Sequence, residues 1–252
     1  MKEINYVKKN AETIDRWVAS GWEWGTPITH DVYENALKDQ WNVVLTPRKS
    51  VPKSWFPKLK GARVLGLASG GGQQMPILSA RGAICTVFDI STKQLESEKL
   101  VSKREGYPIH IVQGDMTKKF PFEDASFDLI FHPVSNVYVK DVYHVFRECF
   151  RVLKKGGILL AGLDNGINFF VDEETEKHIV NHLPFDPTVD EALMRKMDET
   201  ESGVQFSHTL EEQIGGQLKA GFSLVDLYED TNGIGYLHEL NIPTFFATKA
   251  IK

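Results

Sequence analysis

One stretch constrains this chain more than any other: Arg63-Val-Leu-Gly-Leu-Ala-Ser-Gly-Gly-Gly-Gln-Gln74, where an apolar run breaks into three glycines and resumes as a helix. Val64, Leu65 and Leu67 read as a strand covered on both faces, as in a parallel sheet. Gly70, Gly71 and Gly72 let the backbone turn tightly and approach a ligand with no side chain in the way. Gln73 to Ala80 is predicted to open a helix whose free N–H groups point back at the turn. Strand, glycine turn and helix in that order predict a cofactor site. A purely structural glycine turn is the alternative.

The next predicted strand, Ile84 to Ile90, favours the site, because Asp89 near its end lies roughly 20 residues past the glycines, where an acid can accept both hydroxyls of a ribose. A dinucleotide fold requires G-x-G-x-x-G, and the position that spacing assigns to the last glycine holds Met75. The pyrophosphate grip is therefore incomplete, which argues against a nicotinamide oxidoreductase and for a nucleoside without phosphates.

Further strands are predicted at Arg63 to Ala68, Ile109 to Gly114, Phe127 to Phe131 and Gly157 to Gly162, with helices near Gln73 to Ala80, Thr92 to Glu105 and Val139 to Leu153. This alternation specifies an α/β fold, a parallel sheet with helices on both sides, and right-handed crossovers bring the carboxyl ends of the strands to one edge. Asp89, Asp115 and His132 fall on that edge. Residues 163–207 break the pattern and read as an acidic insertion over the substrate side. A helix from Leu210 to Ala220 and strands Phe222 to Tyr228 and Thr244 to Lys249 close the chain.

Residues 1–57 form a separate aromatic segment that holds all five tryptophans; Ala11 to Ser20 and Asp31 to Trp41 read as helices around the breaker Gly25-Thr-Pro27. Packing against the main domain, 58–252, and a lid over the site are both compatible with it. Trp22, Trp24 and Tyr33 are the expected aromatic walls of an acceptor site, and Ser135 and Asn136 are expected to bind the acceptor as well. The basic run Arg48 to Lys60 is expected to be a solvated linker.

Four motifs in order, Val64-Leu-Gly-Leu-Ala-Ser-Gly-Gly-Gly72, Val87-Phe-Asp-Ile-Ser91, Gln113-Gly-Asp-Met-Thr117, and Phe127 to Asn136 followed by Glu148 to Gly157, resemble the class I S-adenosylmethionine-dependent methyltransferases. Within that class the chain is similar to the small-molecule branch related to the ubiquinone and menaquinone biosynthesis enzymes. The resemblance covers Lys58 to Lys252. It implies a Rossmann-like, doubly wound seven-stranded sheet with the last strand antiparallel, an amino-terminal helical lid and an insertion after strand five. It also implies S-adenosylmethionine as cofactor, S-adenosylhomocysteine as product, and methyl transfer to an O, N, S or C nucleophile by in-line displacement. Cofactor contacts are expected from Ala68, Ser69, Gly70, Gly71, Gln74, Asp89, Ile90, Gln94, Gly114, Asp115, Met116, His132 and Pro133. The chain departs from the pattern at Gly66, where the family usually has an acid, and at Ala68, where it has glycine. A non-catalytic S-adenosylmethionine-binding protein or sensor is the alternative function.

His132 stands where the resemblance presents the transferred methyl, and its ordinary pKa of about 6.5 suits a base at neutral pH. Tyr138 and His30 are the reserves for that role, and a loop histidine bonded to backbone is the competing reading of His132. No metal-ligand spacing is present. A net charge of minus 5 is a poor match to a nucleic-acid partner, and no apolar run reaches the length of a membrane span or leader. Cys85 and Cys149 show no disulfide pattern, so a cytoplasmic home is expected.

Overall fold

The computed structural model describes residues 5–252; Met1 to Ile4, the start of the expected lid and of the segment expected to carry no leader, lie outside the described residues. β1 (Arg63–Leu67) is the middle of the parallel part of the sheet, with Val64, Leu65 and Leu67 wholly buried. It pairs in parallel with β2 (Ile84–Asp89) on one side and β4 (Phe127–His132) on the other. β3 (His110–Gln113) extends the sheet beyond β2, and β5 (Leu153–Asp164) extends it beyond β4. β7 (Phe245–Ile251) then inserts antiparallel between β5 and β6 (Ser223–Asp230), giving the order β3-β2-β1-β4-β5-β7-β6.

Side chains alternate across this sheet and feed two cores. Leu65, Phe88, Ile130 and Leu159 pack with Phe146 and Cys149 of α5 (Val142–Val152). Val64, Val87, Leu129 and Leu160 pack with Leu78 of α3 (Gln74–Ala80) and with Leu45 and Trp55 of the amino-terminal segment. α4 (Thr92–Glu105) follows β2, and Ser91 caps it by accepting from the Gln94 N–H.

Several boundaries differ from the sequence expectation for local reasons. α1 runs from Tyr6 to Ala19, starting five residues earlier than predicted, because Asn5 accepts from the Lys8 N–H and caps it. α2 (His30–Leu37) stops short of Trp41, since Asp39 takes a positive φ of 65°. α5 begins only at Val142, where Asp141 accepts from the His144 N–H. The predicted helix 210–220 is a π-helical turn, Glu211–Gly215, followed by α8 (Gly216–Ala220). The region 163–207 carries the short α6 (Ile167–Phe170) and α7 (Glu191–Glu199), and α9 (Gly235–Glu239) lies between β6 and β7.

The basic run is not a solvated linker throughout. Its lysines are exposed, yet Trp55 is 2% exposed and its Nε1–H donates to Asp226 Oδ2 at 2.7 Å, because an indole buried against Tyr228 needs a partner for its one donor.

Candidate active site

The glycine turn at the tip of β1 is held from beneath by acids. Gly70 N–H donates to Asp89 Oδ2 at 3.0 Å, Gly71 N–H to the Gln94 carbonyl at 2.9 Å, and Gly72 N–H to Glu98 Oε2 at 3.0 Å. The N–H groups that would grip a pyrophosphate are thus consumed by the chain's own carbonyl and carboxylate oxygens. Gly72 is required outright: its φ is +68°, and a Cβ there would lie 2.7 Å from Val101 Cγ2 and 2.9 Å from the Ser97 carbonyl oxygen. At Gly66 a Cβ would lie 2.9 Å from the Cγ and Sδ of wholly buried Met75, so methionine occupies the space an acid would need. Ala68 adopts φ +47°, the left-handed conformation that suits the glycine of the resemblance.

A cavity of about 300 Å³ opens above this turn, lined at one end by Ala68, Ser69, Gly70, Gln74, Asp89, Ile90, Gln94, Gly114, Asp115, Met116 and Pro133. Asp89 is 7% exposed; burial pushes its carboxyl above the usual range, against N–H bonds from Ser91 and Gly70. Among the described residues Gln94 Oε1 is buried with no partner, an acceptor turned toward the turn. Gly114 is fixed by packing, since a Cβ would overlap the Phe88 ring.

Trp22, Trp24, Ser135 and Tyr138 line the same cavity. Burial raises the Tyr138 phenol well above its ordinary range, which keeps it protonated near neutral pH.

Five expected site residues stand elsewhere. His132 is completely buried behind the wall, its Nδ1 3.0 Å from the Leu67 carbonyl oxygen and its Nε2 2.8 Å from Asn136 Oδ1. Burial also lowers its pKa. With both ring nitrogens engaged inside the protein it does not reach the cavity, which corrects the expectation of a catalytic base and favours the backbone-bonded histidine. Asn136 is 1% exposed and bridges His132 to Gln213, so it too is interior. His30 is on the surface beside Glu105 at 2.8 Å, and Tyr33 stacks on Tyr107 with ring centroids 5.5 Å apart. The helix that carries both packs over α3, away from the strand tips. Gly71 does not line the cavity either; it shapes the turn.

Another part of the cavity wall was not legible in the sequence. Val7, Asn10 and Ile14 of α1 line it, and α1 is fastened by a pair of bonds between the Asn10 amide and the Val204 backbone at 2.7 and 2.8 Å. The spacing i, i+3, i+7 of those three residues was the available signal. Val44 to Pro47 form another wall, pinned because Asp230 Oδ2 accepts from Thr46 Oγ1 and from the Arg48 and Lys49 N–H groups.

At the tip of β5 stands Asp164, 3% exposed and lining the cavity with Asn168, Phe169 and Phe245. It accepts from the Gly166 N–H and, at 2.8 Å, from Asn168 Nδ2. Burial pushes its carboxyl up to about 6 against those two bonds.

A methyltransferase-domain family model matches residues 65–161, from β1 into β5. The uncharacterized methyltransferase YbaJ of Bacillus subtilis is 42% identical over 252 residues, covering 98% of each chain. The chain belongs to the class I S-adenosylmethionine-dependent methyltransferases. As a methyltransferase it is also similar to the ubiquinone/menaquinone biosynthesis C-methyltransferase UbiE of Bartonella quintana, 32% identical over 145 residues, 53% of this chain and 55% of that one. An S-adenosylmethionine-dependent methyltransferase from Mesorhizobium loti shares the fold, with a TM-score of 0.64 at 20% identity over 79% of this chain and 95% of that one. S-adenosylmethionine is the cofactor of this methyltransferase. The seven-stranded sheet with its antiparallel β7 is the one the resemblance implied.

Proposed function

We propose that this methyltransferase acts on a small-molecule acceptor held at the β4, β5 and β7 end of the cavity, with the cofactor at the β1, β2 and β3 end. One observation carries the reading: a single cavity joins the Asp89 and Asp115 side of the glycine turn to a separate, largely aromatic wall at Phe169 and Phe245. Its volume of about 300 Å³ is at the small end of ligand pockets.

The wall has the acceptors a nucleoside needs. Asp89, with the unpartnered Gln94 Oε1 nearby, accepts from the ribose hydroxyls; Asp115 takes the adenine amino group, and Met116 packs on the base. Bound S-adenosylmethionine supplies a methyl group on a sulfonium, open to in-line displacement. Pro133, Val134 and Ser135 shape the passage after β4, and Tyr138 donates a hydrogen bond to the acceptor. Positioning of this kind supplies up to roughly 7 to 11 kcal/mol.

Residues 1–57 act as the lid on a 58–252 catalytic domain: Trp22 and Trp24 exclude water, while α1 closes onto 163–207 through Asn10. Both cysteines are buried free thiols, in keeping with a reducing, cytoplasmic home, and no helix among the described residues is long and apolar enough to cross a membrane.

Calorimetry with S-adenosylmethionine and S-adenosylhomocysteine should show saturable binding, and mass spectrometry over acceptor panels should show a gain of one methyl. Folded protein that binds neither ligand removes the reading. Binding without transfer on every panel favours the sensor.

A further inference from the structure

The charges in the cavity wall are all of one sign. Asp89, Asp115 and Asp164 line it, and among the described residues no lysine, arginine or histidine does. Two of the three acids belong to the cofactor end, one at the tip of β2 and one just past β3. Asp164 is on the other side of β1, at the tip of β5, two strands and so roughly 10 Å across the sheet from the glycine turn.

Asp164, like Asp89, is buried with no cation beside it. Its two partners are neutral, a backbone N–H and the Asn168 amide. Behind them runs a chain of neutral groups: Asn232 Nδ2 donates to Asn168 Oδ1 at 2.9 Å, and Thr244 Oγ1 donates to Asn232 Oδ1 at 3.0 Å. That chain orients the carboxylate without neutralising it. A buried carboxylate lacking a cation is costly, and the cost falls when a ligand brings the missing charge. Phe245 is the cross-strand neighbour of Asp164, and Phe169 lies five residues on in the same wall. Carboxylate and aromatic faces together suit an organic cation.

Resting on the methyltransferase reading above, we infer that Asp164 is an acceptor-binding residue and that the acceptor is an arylalkyl amine, drawn in as its ammonium ion. The carboxylate pairs with the ammonium and then takes one N–H proton. That N–H bond breaks, an Asp164 O–H bond forms, and the nitrogen keeps the electron pair that makes it a nucleophile. Each of the two ionic partners becomes neutral, a transfer that the dry site favours relative to water. Anionic acceptors such as carboxylates and phosphate esters meet three acids and no base in the wall, and are excluded.

The test is calorimetry on the full chain saturated with S-adenosylhomocysteine, using three probes of one shape: 2-phenylethylamine, 2-phenylethanol and phenylacetate. The amine should bind about tenfold tighter than the alcohol, as a charged hydrogen bond requires, and phenylacetate should not bind. In Asp164→Asn the amine preference should vanish while the affinity for S-adenosylhomocysteine stays the same. The inference is overturned if phenylacetate binds as well as the amine, if none of the probes binds, or if the preference survives in the variant. It is equally overturned if Asp164→Asn loses S-adenosylhomocysteine affinity about tenfold, which would assign the acid to the cofactor end. The wild-type ranking decides the matter even should the variant fail to fold. Wild-type protein that does not bind S-adenosylhomocysteine overturns the methyltransferase reading and the inference with it, whereas a failure confined to the amine probes overturns the inference alone.

Discussion

The two ends of the cavity are built in different ways. The end proposed for the cofactor comes from strand tips and the turns that follow them: Ala68 to Gly70 after β1, Asp89 and Ile90 at the end of β2, Gly114 to Met116 after β3. Each group is positioned by bonds to close neighbours along the sheet edge, as Gly70 N–H is by Asp89. The rest of the wall is assembled from segments far apart in the chain: α1, the run 44–47, the tip of β5, Gln205 and the start of β7. Its fastenings reach across 184 residues from Thr46 to Asp230 and 194 from Asn10 to Val204. A fixed cofactor permits a local motif, whereas an acceptor site is shaped by whichever distant segments meet over it.

The first way to break this contrast is at the turn. Gly72→Ala forces a Cβ against the Ser97 carbonyl at a positive φ, and should cost about 3 kcal/mol or more of stability in urea unfolding. An unchanged midpoint would mean that the turn is not rigid. Next, Asp89→Ala should weaken S-adenosylhomocysteine binding by roughly 1.5 to 3 kcal/mol, read by calorimetry. Asp230→Ala removes the acceptor of three bonds that pin 46–49 and should cost about 2 kcal/mol of stability with S-adenosylhomocysteine affinity nearly unchanged. If that affinity falls as far as in Asp89→Ala, the two ends are not separable.

Smaller effects sharpen the picture. Burial pushes the Glu98 carboxyl up to about 8, with the Gly72 N–H and the Tyr107 hydroxyl opposing. The folded state therefore holds a proton that the unfolded state releases near 4.5, so this contribution is complete below that pH and is lost as pH rises through about 8. Thermal and urea melts should show a loss of about 1 kcal/mol between pH 7 and 9, and Glu98→Gln, which can still accept from Gly72, should flatten it. A variant as pH-sensitive as wild type would place the titration elsewhere. Smallest of all, Ala68→Gly relieves a left-handed alanine and should stabilise by up to about 1 kcal/mol, whereas a loss would show that the alanine methyl packs usefully.

The same contrast explains what was legible. β1, the glycine turn and Asp89 follow from composition and spacing over some thirty residues, because apolar runs and glycines act on the backbone next to them. The paired aromatic residues Trp22 and Trp24 were expected in the wall and line it, but Tyr33, nine residues on, was expected there too and faces Tyr107. Nothing in a sequence says which face of a short helix its neighbours will cover.

His132 and Asp164 show the division most sharply. Both sit at the carboxyl end of a strand, and both carry a titratable side chain. Residue type and position singled out His132; the register of β4 turned it inward onto Leu67 and Asn136. Asp164 is not marked out by the sequence, because the pattern ends the fifth strand at Gly162 and assigns the acid to the start of an insertion. The sequence by itself determined the strand order of chemistry along the edge, since that depends on neighbours in the chain. Only the tertiary structure decided which proton-bearing group meets the cavity, because burial and orientation are set by side chains that arrive from elsewhere in the chain.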